Sequence, residues 1–194
     1  MIARTHDVAA IIGLTITVAI VSPLQPLTFG TMIAALIANQ LGAIAPDIDQ
    51  PTAPFWRTIS VGKLFGRFFG RIMGGHRFLT HSLLGLALMG VAVHLLLTVI
   101  HPIMPSVQME YVWWAFIIGM VSHLVMDSFT KEGVPWLLPI PVKFGFPPLR
   151  RFRITTGKKL EKFVILPLLV ALLVVIFMLY YDIFVELLKN RVTS

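Results

Sequence analysis

Eight side chains able to hold a metal or move a proton are spread along this chain in short groups: His6; Asp47 and Asp49; His76 and His81; His123 and Asp127; and Glu161. His123 and Asp127 are four residues apart, a spacing that puts both on one face of a helix. Pro46 and Pro51 bracket Asp47 and Asp49 and impose a turn in which the two carboxylates can converge. His76 and His81 are five residues apart, about 140° around a helix, so at least one lies outside a helix. With Thr80 as an N-cap, His76 falls in the loop and His81 in the first turn. Imidazole and carboxylate together suit a divalent metal, Zn foremost, with Mn or Fe as alternatives. Carboxylates can also bridge two ions about 3.5–4 Å apart, an arrangement that activates water and stabilises both oxygens of a phosphoester displacement. There is no cysteine, so thiolate ligation and disulfides are excluded.

Each group also has a plainer role. His6 can be a solvated residue ahead of a helix, and Asp47 and Asp49 can be loop carboxylates that end one. His81 can be a first-turn residue bonded to backbone. Glu161, between Lys158 and Lys162, reads as a solvated ion-pair partner as well as a catalytic candidate. His94 lies inside an apolar run and reads as a packing or interhelical hydrogen-bonding residue.

The elements that must position these groups are membrane helices. The chain is 57% hydrophobic and 13% charged, against about 25% charged in soluble domains. Apolar runs cover residues 8–21, 28–45, 83–100, 111–127 and 163–181. The first, at fourteen residues, is short for a span, which needs about 17–25. It reads as a retained, short or tilted helix rather than a cleaved signal. Residues 57–74 are different: Lys63, Arg67 and Arg71 recur every four residues beside Leu64, Phe65, Phe68, Phe69 and Ile72. That pattern is expected of a helix in the headgroup plane against anionic lipid. Gly62, Gly66, Gly70 and Gly74 share the period, fitting either a close helix contact or an irregular glycine-rich loop. The expected fold is all-α: one polytopic domain over 1–194, with about five hydrophobic helices and one interfacial amphipathic helix.

Charge sets an expected orientation. Segment 46–80 carries five Lys/Arg and segment 128–162 eight, whereas 22–27 and 101–110 carry none. By the positive-inside rule, the N-terminus and both long segments are cytosolic and the C-terminus is outside, although Lys189 and Arg191 count against the last point. The formal net charge of +7 is therefore read as topology and anionic-lipid contact rather than nucleic-acid binding. Arg150, Arg151 and Arg153 read as topology determinants, with phosphate binding the lesser alternative. This topology gathers His6, Asp47, Asp49, His76, His81, His123, Asp127 and Glu161 in one layer from five helix ends. Only His94 and His101 fall elsewhere.

With these residues in hand, the chain resembles the YdjM-like family of membrane-bound metal-dependent hydrolases. The resemblance rests on Thr5-His6, Pro46-Asp47-Ile48-Asp49, His76 through Ser82, His123 through Asp127 with Ser128 and Thr130, and Thr156-Gly157 with Glu161. It covers nearly the whole chain and implies a small helical inner-membrane protein with a cytosolic-side metal site. A more distant similarity is to zinc-dependent phospholipases C. The expected function is hydrolysis of a lipid phosphoester or other membrane-associated ester with one or two divalent ions. The expected ligands are His6, Asp47, Asp49, His76, His81, His123 and Asp127. Asp49 would also bridge or accept a proton, Arg77 would stabilise developing negative charge, and Glu161 completes the catalytic candidates. The alternative is a non-enzymatic metal-binding membrane protein, a regulator or transport component.

Overall fold

The computed structural model describes residues 1–21, 27–50, 78–140 and 142–189. The amphipathic stretch 57–74, with His76 and Arg77, lies outside them. Four long helices come first: α1 (Ala3–Val21), α2 (Phe29–Ile44), α3 (Leu83–Ile100) and α4 (Met109–Ser128). A 3₁₀ turn, Ala45–Asp49, extends α2. A π-turn, Glu161–Ile165, leads into α5 (Leu166–Leu179), and α6 (Tyr181–Lys189) follows. No strand forms among the described residues; two isolated bridges, Thr130 to Ile154 and Val134 to Phe144, tie the loop after α4.

Among the described residues, five helical segments are long and apolar enough to cross a membrane: Ala3–Val21, Phe29–Asp49, Leu83–Ile103, Met109–Ser128 and Glu161–Leu179. In the third and last, only 11% and 6% of the most apolar window is buried. So much uncovered aliphatic surface on helices apolar all round is stable against lipid chains, not against water.

Three boundaries differ from the sequence reading. The first helix starts at Ala3 rather than near residue 8, giving 19 residues and a full span. Arg4 and Asp7 do not delay it, because Thr5 and His6 in the same turn are buried against the rest of the bundle. The cap of α3 is Ser82, not Thr80: its hydroxyl accepts from the Gly85 N–H at 3.0 Å. Thr80 spends its own hydroxyl elsewhere, so His81 precedes the helix instead of opening it. The last span opens with a π-turn at Glu161, ahead of the expected start at 163, and α6 takes up the short amphipathic tail expected after that span. Here the N–H of Lys162 bonds the Lys158 carbonyl at 3.2 Å, joining the preceding turn to the helix.

The spine of the bundle is the crossing of α2 and α4. A side chain at Gly42 would collide with the Phe116 carbonyl, and one at Gly119 with the Asn39 carbonyl, so these glycines let the two backbones touch. Inside the crossing, the Asn39 side-chain amide donates to the Ala115 carbonyl at 3.1 Å. Below it, Phe116, Met120 and Ala38 form the buried apolar cluster with Val107 and Val112. Helix α1 packs on α4 by its Gly13, where a Cβ would stand 3.2 Å from Ile118 Cγ2. One end of this spine carries the polar residues.

Candidate metal centre

Each candidate ligand among the described residues is delivered by a helix end or an adjoining turn at the same end of the bundle. His6 projects from the first turns of α1, and Asp47 from the 3₁₀ turn that Pro46 starts after α2. His81 comes from the turn before α3, and His123 and Asp127 from successive turns at the end of α4. His6, His81, His123 and Asp127 are at most 2% exposed, and the Asp47 side chain is 23% exposed.

The distances are short and shared. His81 Nε2 lies 3.6 Å from both Asp47 Oδ1 and Asp127 Oδ2. His123 Nε2 lies 3.7 Å from the same two oxygens. His6 Nε2 lies 3.4 Å from Asp127 Oδ1, and its ring stacks on His123 with centroids 3.7 Å apart. Asp127 Oδ1 also pairs with the Met1 ammonium. Two sets of ligand atoms lie close enough to share an ion: Asp47 with His81 and His123, and His6 with His123 and Asp127.

Hydrogen bonds fix which ring nitrogens face the centre. His123 Nδ1 is 2.6 Å from the Ala43 carbonyl, which can only accept, so Nδ1 carries the proton and Nε2 offers a lone pair. The Thr80 hydroxyl donates to Asp49 Oδ2 at 2.7 Å and lies 3.0 Å from His81 Nδ1. With its hydrogen given to Asp49, Thr80 can only accept from His81, so in the neutral ring the lone pair is on Nε2.

The donor set fits a divalent cation. Neighbouring ligands of a tetrahedral zinc with bonds near 2.0–2.1 Å stand about 3.3–3.4 Å apart, close to the 3.6–3.7 Å seen here. Among the described residues, no hydrogen bond satisfies His123 Nε2 or either ring nitrogen of His6. Buried polar atoms in that condition cost about 1–3 kcal/mol each, and a cation or its water would satisfy them. Burial of the His81 ring works against its charge, but the carboxylates of Asp127 and Asp47 outweigh that and raise its pKa above the ordinary imidazole value. This is the cation-attracting balance a metal would replace.

Not every expected residue joins the cluster. Asp49 is buried, bonded to Thr80, and belongs to neither ligand set found among the described residues. Glu161 corrects its reading as a solvated ion-pair partner: it is fully buried. One oxygen accepts from the Ile2 N–H at 2.7 Å and the other from the Gly157 N–H at 2.6 Å. Backbone donors took it because the π-turn brings its carboxylate against the start of α1; it clamps that end and is absent from both ligand sets. His76 and Arg77 are outside the described residues. Arg150 and Arg153 do more than set topology, since their guanidinium groups bond the Lys131 and Pro147 carbonyls at 3.0 and 2.8 Å. His94 and His101 are in neither ligand set. They line a groove of about 680 Å³ with Glu110, Trp113 and Trp114, where no three ligand atoms among the described residues come close enough together to share an ion. The reading of the sequence missed the Thr80 hydroxyl and the Ala43 carbonyl. The adjacency of Thr80 to His81 was a visible signal for the first; nothing in a sequence marks a carbonyl.

Comparison with known proteins agrees with this architecture. The profile of the YdjM inner membrane protein family matches residues 1–185. The chain belongs to that family. It is 30% identical over 138 residues to the inner membrane protein YdjM of Escherichia coli (strain K12), and to the same degree to that of Shigella flexneri. Those matches cover 67% of this chain and 60% of the relatives, so the chain spans about three-fifths of their length. It is also 26% identical over 145 residues to the protein YvsG of Bacillus subtilis (strain 168), covering 74% of this chain and 79% of that protein. No solved structure matches, so the expected likeness to zinc-dependent phospholipases C finds no support there. With several apolar helices long enough to span a membrane, this is a multi-pass inner membrane protein.

Proposed function

We propose that this protein is a cytoplasmic-membrane hydrolase that uses a divalent metal, Zn foremost, on a lipid phosphoester or other membrane-associated ester. The observation that carries the reading is the convergence of His81 Nε2, His123 Nε2, Asp47 and Asp127 within 3.6–3.7 Å at one end of a membrane bundle. Ionisable groups are costly there unless they serve a function. His123 has one lone pair to give, because Nδ1 is bonded to Ala43. Both ligand sets use His123, so they describe one ion's surroundings rather than two filled sites. When bound, a divalent cation supplies Lewis-acid charge and an acidified water.

The chain's own residues account for the rest. A cleft of about 130 Å³, lined by His6, Asp7, Ala43 and Asp47, reaches the cluster between the start of α1 and the end of α2. Its volume leaves room for a few waters, at about 30 Å³ per molecule, and the proposed ester head would enter it from the boundary. Asp47, a partly exposed ligand, lines that entrance. Arg77 is the proposed counter-charge for an oxyanion. The Lys/Arg distribution supports a cytosolic position for this end. A site at the boundary, instead of the bilayer midplane, favours hydrolysis over transport.

The test is metal analysis of purified protein, followed by screening of lipid extracts with and without chelator. About one ion per chain is expected. Asp127→Asn, nearly isosteric, should lower metal affinity on the order of 100-fold or more, while His94→Ala retains it. Full metal in Asp127→Asn with loss in His94→Ala would overturn the site. Bound metal without turnover on any extract would favour the non-enzymatic alternative.

A further inference from the structure

Asp49 is a buried carboxylate outside both ligand sets found among the described residues, although it stands two residues from Asp47. Its Oδ2 is held by the Thr80 hydroxyl at 2.7 Å, and that oxygen is 3.0 Å from His81 Nδ1. All three residues are at most 2% exposed. The chain of bonds runs in one sense only. A carboxylate at Asp49 accepts the Thr80 proton; the Thr80 oxygen then has only lone pairs left and accepts the Nδ1 proton of His81.

We propose that Asp49 is a positioning residue that acts through Thr80, fixing His81 in the tautomer and rotation that present Nε2 to the metal. The inference rests on the metal reading above for its consequence, but its first step concerns the protein alone. His123 achieves the same end with the Ala43 carbonyl. The two rings are thus oriented by different means. One is set by a backbone group that follows from helix packing, the other by a side-chain relay that a single substitution can cut. The relay also explains why a Pro-Asp-Ile-Asp turn carries two carboxylates: Asp47 reaches the cluster, and Asp49 reaches the turn that bears His81. Because Thr80 and His81 are adjacent, one hydrogen bond from Asp49 fixes both the turn and the ring.

The experiment uses full-length protein in detergent with Thr80→Val, Thr80→Ser, Asp49→Ala and Asp49→Asn. The first readout is metal-free: nitrogen-15 NMR of histidine-labelled protein, with His81 assigned by loss of its signal in His81→Gln. The neutral His81 ring should be protonated at Nδ1 in the wild type and in Thr80→Ser, and should lose that preference in Thr80→Val. The second readout is Zn²⁺ or Co²⁺ affinity by chelator competition. Thr80→Val and Asp49→Ala should each weaken it about 10–100-fold, with the double variant little worse than either single one. Thr80→Ser should remain near wild type, and Asp49→Asn, which keeps an acceptor, should lose less than Asp49→Ala.

If Asp49→Ala abolishes binding while Thr80→Val leaves it unchanged, Asp49 is a direct ligand and the positioning role is wrong. Wild-type affinity in both also overturns it. If Thr80→Val and Asp49→Ala fail to fold, Thr80→Ser and Asp49→Asn decide: a wild-type tautomer and affinity in the first with weakened affinity in the second supports the relay, and the reverse order refutes it. Should the wild type bind no metal yet show the Nδ1–H tautomer, the relay stands and the metal-dependent reading falls.

Discussion

Gly119→Ala tests whether the helix crossing, rather than the ligands alone, makes the centre. Gly119 is one turn before His123 on α4 and packs on the backbone of α2. An added methyl would overlap the Asn39 carbonyl and stand only 2.9 Å from the Ala43 nitrogen. Neither is the end of a flexible side chain, so the helices must part by roughly an ångström. Overpacking of this kind costs about 1–3 kcal/mol. Two bonds span the same crossing: Asn39 to Ala115 at 3.1 Å and Ala43 to His123 at 2.6 Å. An interhelical hydrogen bond in a membrane protein is worth about 0.6 kcal/mol, so the sum is about 2–4 kcal/mol. Loss of the Ala43 anchor frees the His123 ring, and metal affinity should fall about 10-fold or more although no ligand has changed. The assay pairs thermal unfolding in detergent with chelator competition on the folded protein. An unchanged midpoint would mean that the close approach is not what holds α2 to α4. A lowered midpoint with wild-type metal affinity would refute the coupling between crossing and site.

Two further outcomes follow from individual groups. Glu161→Gln keeps an acceptor but removes the charge that bonds the Ile2 and Gly157 N–H groups; unfolding stability should drop by about 1–3 kcal/mol. Turnover per bound metal should stay level, and a loss of turnover at full metal content would restore a catalytic role. The raised pKa of His81 means that a proton occupies Nε2 up to a higher pH than in a free imidazole. Metal must displace that proton, so affinity should rise steadily from about pH 6 to about pH 8, with proton release on binding. Affinity independent of pH over that range would show that His81 is not a ligand.

Hydrophobic length and the uneven distribution of Lys and Arg are local properties, so the sequence alone could determine the five spans and the sharing of one end by the polar residues. The span 83–100 emerged at its observed bounds because Ser82 and His101-Pro102 punctuate it. The i,i+4 spacing of His123 and Asp127 likewise put both on one helix face. What the sequence could not determine was rank within the polar layer. Glu161 looks like Asp127 in one dimension; only the fold shows that both its oxygens go to backbone N–H groups from segments far apart in the chain. Asp47 and Asp49 share a motif, yet the 3₁₀ turn sends one to His81 and His123 and the other to Thr80. Tautomers, too, were invisible: they depend on a carbonyl 80 residues away and on a hydroxyl whose hydrogen is already committed. Ligand identity is a matter of residue type, which a sequence states, whereas ligand orientation is a matter of which buried donor meets which acceptor, and the packing of α2 against α4 decided that.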